Sequence, residues 1–100
     1  MAIDTNLVNV YNTSSIMVTI ILYGKPGCHL CDDVRDVLES AQKKYDFEIC
    51  EMNIMEDEEL FDKYVVDIPV VTVDGEYFCQ YSIKLEELED KLKNLTKGSN

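Results

Sequence analysis

The chain has 100 residues, 46% of them hydrophobic, and carries 20 acidic against 9 basic side chains for a formal net charge of −11. That length suits one compact core and is short for two, and so negative a surface repels nucleic-acid phosphates and anionic lipid over a Debye length of about 8–10 Å. No apolar run approaches the roughly 20 residues that a membrane-spanning helix needs, so neither nucleic acid nor a membrane is expected as a partner.

The first sixteen residues, MAIDTNLVNVYNTSSI, have no positively charged start or long apolar centre of the kind a secretion signal carries. They read as an N-terminal extension, with an extra edge strand as the alternative because LVNVY alternates. Residues 17–96 are then expected to form the domain, and 97–100 a tail. Four cysteines could staple a small secreted fold, but this chain has apolar residues enough for a core without disulfides. A cytoplasmic, monomeric protein fits better.

Val18 to Tyr23, VTIILY, is β-branched and apolar, as a central strand covered on both faces would be. Gly24 to Gly27 breaks it. Val34, Val37, Leu38, Ala41 and Tyr45 then recur at helical spacing, with Asp32 and Asp33 near the positive end of the helix dipole. FEICEMNI, Phe47 to Ile54, reads as a second buried strand, and EDEELFDKY as a short helix with acids in its first turn. Ile68 to Val73 is a further strand, Asp74-Gly75 a hairpin turn, and Glu76 to Tyr81 the returning strand. Ser82 is placed to cap a last helix whose Leu85, Leu88, Leu92 and Leu95 form one apolar stripe. The order β-α-β, helix, hairpin, helix predicts a four-stranded mixed sheet with helices on both faces, since a right-handed crossover makes the first two strands parallel.

Within this frame KPGCHLCDD, Lys25 to Asp33, sets two cysteines three apart at a strand-to-helix junction, the carboxyl edge where open α/β sheets build sites. The pair could hold a metal, close a structural disulfide or pass electrons. Zinc wants four ligands, and Cys50 and Cys79 form no second knuckle; a loop this short gains little from closure. Electron transfer needs a thiolate, and an unperturbed cysteine is only about 3% ionised at pH 7, against roughly three-quarters after a two-unit fall in pKa. At a helix N-terminus, unpaired amides and the dipole favour the anion, with Lys25 and a protonated His29 adding positive charge. Cys28 is therefore expected as nucleophile and Cys31, one turn further in and more buried, as the resolving thiol. Cys50 and Cys79, in strand-like runs, read as small buried residues.

The strand VTIILYG, the motif KPGCHLC, the helix after it and DIPVVTVDG some forty residues later, taken in this order, resemble the glutaredoxin-like branch of the thioredoxin-fold family over Met17 to about Leu95. The resemblance implies a thioredoxin-like α/β fold and a dithiol–disulfide oxidoreductase. It implies that Pro69 is cis and faces the cysteines, leaving the Ile68 backbone to pair with an extended substrate by strand addition. It sets Lys25 where glutaredoxins contact a carboxylate of glutathione. Thioredoxins carry Trp directly before the first cysteine and a buried acid six residues before it, where this chain has Gly27 and Leu22. The Gly-Gly-acid turn that helps glutaredoxins hold glutathione is also missing, Cys79-Gln80-Tyr81-Ser82 standing in that vicinity. No tightly bound cofactor or metal is expected. The partners implied are disulfide-containing proteins or small thiols, with glutathione or a thioredoxin-type reductase as electron donor. A second reading is an iron–sulfur carrier holding a cluster between two subunits through Cys28 and glutathione; a third is a redox-inactive binding module.

Overall fold

The computed structural model describes residues 17–98; the expected N-terminal extension, 1–16, lies outside them, as do the last two residues of the expected tail. The chain runs β1 (Val18–Gly24), α1 (His29–Gln42), β2 (Phe47–Asn53), a 3-10 turn (Ile54–Glu56), α2 (Glu58–Tyr64), β3 (Val70–Val73), β4 (Glu76–Gln80) and α3 (Leu85–Gly98). Among the described residues no helix is long and apolar enough to cross a membrane.

The four strands form one mixed sheet in the order β2-β1-β3-β4. β1 runs parallel to β2 and antiparallel to β3, and β3 antiparallel to β4. Val18, Ile20, Leu22 and Gly24 of β1 are buried while Thr19, Ile21 and Tyr23 are half-buried, the period-2 pattern of a pleated strand with two unequal faces. The buried face packs with Val71 and Val73 of β3 and Phe47 of β2 against Val34, Leu38 and Ala41 of α1 and Leu88 and Leu92 of α3. Each such side chain contributes about 1.5–3 kcal/mol when fully removed from water, and truncating Leu38 to alanine would cost about 2–5 kcal/mol. The other face meets α2 through the tilted ring pair of Tyr23 and Tyr64, 4.6 Å between centroids.

Local chemistry sets the ends of the elements. Asp57 caps α2, its carboxylate accepting from the N–H groups of Glu59 and Leu60. Asp74 and Gly75 have φ of 51° and 86°, the left-handed pair that a two-residue hairpin of matching twist requires. The Asp74 carboxylate accepts from the Thr19 N–H at 2.9 Å, and the Asp74 N–H donates to the Thr19 carbonyl at 2.8 Å. The turn is thereby pinned to β1.

Several expectations change. Phe47–Asn53 is an edge strand, and most of its residues are exposed: its apolar run covers one flank only, because nothing pairs beyond it among the described residues. Cys50 points outward from that strand and is exposed, not buried. Ser82 does not cap α3; its N–H folds back to the Gln80 carbonyl and the helix begins at Leu85. Leu85, at that helix start, is 40% exposed and falls off the core stripe that Leu88 and Leu92 hold.

Candidate functional site

Register places the site. The pairs Gly24↔Asn53, Tyr23↔Val70 and Val70↔Gln80 bring the ends of all four strands into one row, with Pro69 beyond Val70 and Tyr81 beyond Gln80. Gly27, at φ 81°, then turns the chain from β1 into α1 through a conformation that costs a side-chain-bearing residue dearly. Cys28 lands as the N-cap of α1, with extended backbone.

Cys28 and Cys31 are joined by a disulfide, with Cα atoms 5.2 Å apart. The Cys31 N–H points at the Cys28 sulfur, 3.1 Å away. That amide is one of the donors a helix N-terminus leaves unpaired, so the cap position that a Ser or Asp oxygen usually fills is filled here by sulfur. Cys28 is half-buried and Cys31 only 2% exposed, an asymmetry that exposes one sulfur to a partner and shelters the other. Behind Cys31 lies Gly24, where a Cβ would come within 2.7 Å of the Cys31 sulfur. Only a glycine lets the sheet end seat that thiol without a shift.

On the β2 flank a cleft of about 240 Å³ opens beside Cys31, lined in part by Lys25, Asp32, Arg35 and Glu51. Arg35 forks onto Glu51 through Nε and Nη2, at 2.6 and 2.9 Å, and reaches Asp32 through Nη1 at 2.8 Å. Both carboxylates hold the guanidinium pKa above its ordinary value by accepting these bonds, and the Glu51 pair ties α1 to the exposed edge strand. Lys25 is exposed on the rim, and His29 opens α1 with an exposed side chain.

On the β3 flank the Ile68-Pro69 peptide bond is cis, and Pro69 is buried in line with Gly24. The Ile68 N–H donates to the Tyr64 carbonyl at 3.1 Å, and the Asp67 N–H to the same oxygen at 2.8 Å. Strand addition through both backbone groups of Ile68 is thus not what the segment offers; its donor is spent within the fold, leaving the carbonyl. Tyr81, at φ 70°, donates its N–H to the Pro69 carbonyl at 2.8 Å.

Cys79 sits in β4 opposite Val71, half-buried, and burial, with Glu87 adding negative charge, pushes its thiol up to about 11. A neutral thiol there is packing, not chemistry. Among the described residues no three His, Cys, Asp or Glu side chains converge as a metal site. The two cysteines, Lys25 and Pro69 thus converge on one sheet end, with His29 on its exposed lip. Gly24, Arg35, Glu51 and Tyr81 join them unanticipated. Only Gly24, a residue too small to fill space directly before the cysteine loop, left a trace in the sequence.

A family model, Glutaredoxin-like domain (DUF836), matches residues 19–93. Among solved structures, protein Ne2328 from Nitrosomonas europaea is 29% identical with a TM-score of 0.68, the match covering 76% of this chain and 92% of that one. A mutant thioredoxin from Halobacterium salinarum NRC-1 is 21% identical with a TM-score of 0.62 over 84% of this chain and 79% of its own. Protein XcR50 from X. campestris is 24% identical, TM-score 0.63, over 75% and 96% respectively. These neighbours and the strand order make the fold thioredoxin-like, a four-stranded mixed sheet with helices on both faces.

Proposed function

The chain belongs to the glutaredoxin-like domain family, and from that premise we propose that it is a dithiol–disulfide oxidoreductase, with Cys28 the nucleophile and Cys31 the resolving thiol. The observation that carries this reading is the Cys28 sulfur at the cap of α1, receiving the Cys31 amide and within bonding reach of the Cys31 sulfur. In the reduced protein the same amide and dipole favour the Cys28 thiolate.

The exchange runs in two displacements. The Cys28 thiolate attacks one sulfur of a substrate disulfide, the S–S bond breaks, and the departing thiolate takes up a proton from water. Cys31 then loses its proton and attacks the Cys28 sulfur of the mixed disulfide, expelling the second substrate thiolate. Two electrons have moved to the substrate, and the Cys28–Cys31 disulfide remains. A thiol donor, glutathione or a dithiol reductase, restores both thiols by the reverse chemistry. Lys25 at the rim adds positive charge near the site, and His29, at the helix start, sets the potential of the couple. Disulfide-bearing proteins are the substrates we favour, because a net charge of −11 works against recognition of an anionic small thiol. We place the reaction in the cytoplasm.

Reduction of insulin and of a small mixed disulfide, each supplied with glutathione plus its reductase or with a thioredoxin reductase, tests the reading. Turnover with either donor is expected. Failure of every combination, or isolation of a brown dimer carrying a cluster on Cys28, would overturn it.

A further inference from the structure

The end of β4 reaches the segment Val66–Pro69 at three points. The Tyr81 N–H donates to the Pro69 carbonyl at 2.8 Å, the Tyr81 phenol donates to the Val66 carbonyl at 3.1 Å, and the Gln80 carboxamide sits 3.5 Å from Asp67 Oδ1. Gln80 is itself held from its other side, its Oε1 accepting from the Tyr77 hydroxyl at 3.0 Å. Tyr81 does this from a left-handed backbone, φ 70°, a region that large side chains seldom occupy. Without that conformation β4 would continue straight, and the phenol could not fold back onto Val66.

The consequence for the segment follows from its hydrogen bonds. Asp67 and Ile68 give their N–H groups to the Tyr64 carbonyl, and Pro69 has none. Val66 and Pro69 give their carbonyls to Tyr81. What is left is a short stretch of held backbone whose Ile68 carbonyl accepts no hydrogen bond among the described residues, at the same sheet end as Cys28. Val66, within the segment, is 77% exposed, and Tyr81, bonded to it, 46%, so the segment is flanked by apolar surface.

We infer that Tyr81 is a positioning residue that clamps Val66–Pro69 at both ends, so that the segment receives an extended, apolar-flanked peptide disulfide through one N–H donated by the peptide to Ile68. This rests on the disulfide-exchange reading above. Tyr81 touches neither sulfur, so its effect falls on docking and not on the bond exchange. A peptide long enough to lie along the segment feels it; a disulfide without a peptide backbone does not.

Full-length Tyr81→Phe, which removes one hydroxyl, and Tyr81→Gly, which suits the left-handed backbone but has no ring, are assayed with insulin and with hydroxyethyl disulfide. For Tyr81→Phe the KM for insulin is expected to rise about fivefold with kcat nearly constant, and the KM for hydroxyethyl disulfide to move less than twofold. Tyr81→Gly is expected to show the same split, more strongly, with a melting midpoint no lower than that of Tyr81→Phe. An unchanged insulin KM in both variants overturns the assignment. So does an equal loss on both substrates accompanied by a lower melting midpoint, which would make Tyr81 a fold residue only. If the unaltered protein reduces neither substrate, the exchange reading fails and takes this one with it; if it reduces both and the variants match it, Tyr81 alone is wrong.

Discussion

The two flanks of the cysteine loop are built from different physics. On the β2 side, α1 is tied to an exposed edge strand by charge, Arg35 to Glu51, with Asp32 of the same helix bracing the guanidinium. On the β3 and β4 side, the segment carrying cis Pro69 is held by neutral hydrogen bonds and by burial of the Pro69 ring itself. Exposed ion pairs are worth about 0–1 kcal/mol and weaken with salt, whereas neutral bonds anchored in a sheet are short-ranged, directional and little affected by ionic strength. The contrast teaches which flank can hold a partner in register: the ionic one lends charge, and the neutral one lends position.

The comparison breaks most severely at the sulfur both flanks serve. Cys28→Ser should lower disulfide reduction at least about 10³-fold, as loss of a covalent nucleophile does, while Cys31→Ser should accumulate a mixed disulfide at Cys28 visible by intact mass. Equal activity in Cys28→Ser would dissolve the site. Next comes the hinge between flanks. Gly24→Ala pushes a methyl into the Cys31 sulfur and should destabilise by about 1–3 kcal/mol, read as a lower urea midpoint at constant slope. A neutral result would mean that Cys31 has room to move.

The β4 flank carries a pH signature. Cys79 goes from an ordinary 9.0 to about 11 in the fold, so its acid form is favoured by folding. Its contribution is whole below pH 9 and is lost as pH rises toward 11, because the unfolded chain releases the proton first. Part of it should be gone by pH 10. Unfolding midpoints at pH 8 and pH 10 for the native chain and for Cys79→Ala measure it: the decline should be shallower in the variant. The smallest effect belongs to the ionic flank. Arg35→Gln should cost about 0.5 kcal/mol at low salt and less at high salt, while the factor by which the Tyr81 variants raise the insulin KM should be the same at low and high salt.

Much of this was legible beforehand for identifiable reasons. VTIILY, whose first four residues are all β-branched, could only be a covered strand, and β1 is the central one between β2 and β3. Asp74-Gly75 demanded positive φ values and adopts them. Two cysteines after a Pro-Gly turn and before a helical repeat placed a thiol at a helix cap, where Cys28 stands. What misled was apolar content read without neighbours. Phe47–Asn53 is apolar enough for a buried strand, but it lies at the sheet edge, and Cys50 is exposed as a result. Leu85 matches the spacing of Leu88 and Leu92, yet Ser82 turns back to Gln80, so the helix starts at Leu85 itself, before its stripe meets the core.

The sequence by itself determined what is local: strand and helix periodicity, the glycines of the turns, and a cysteine at the start of a helix, because each depends on residues within a few positions of one another. Tertiary structure alone decided which strand lies at the edge, that Gly24 backs Cys31, that Arg35 reaches Glu51 sixteen residues away, and that Tyr81 closes on Val66 fifteen residues before it. Those contacts join distant stretches whose spacing carries no signal until strand register sets them side by side.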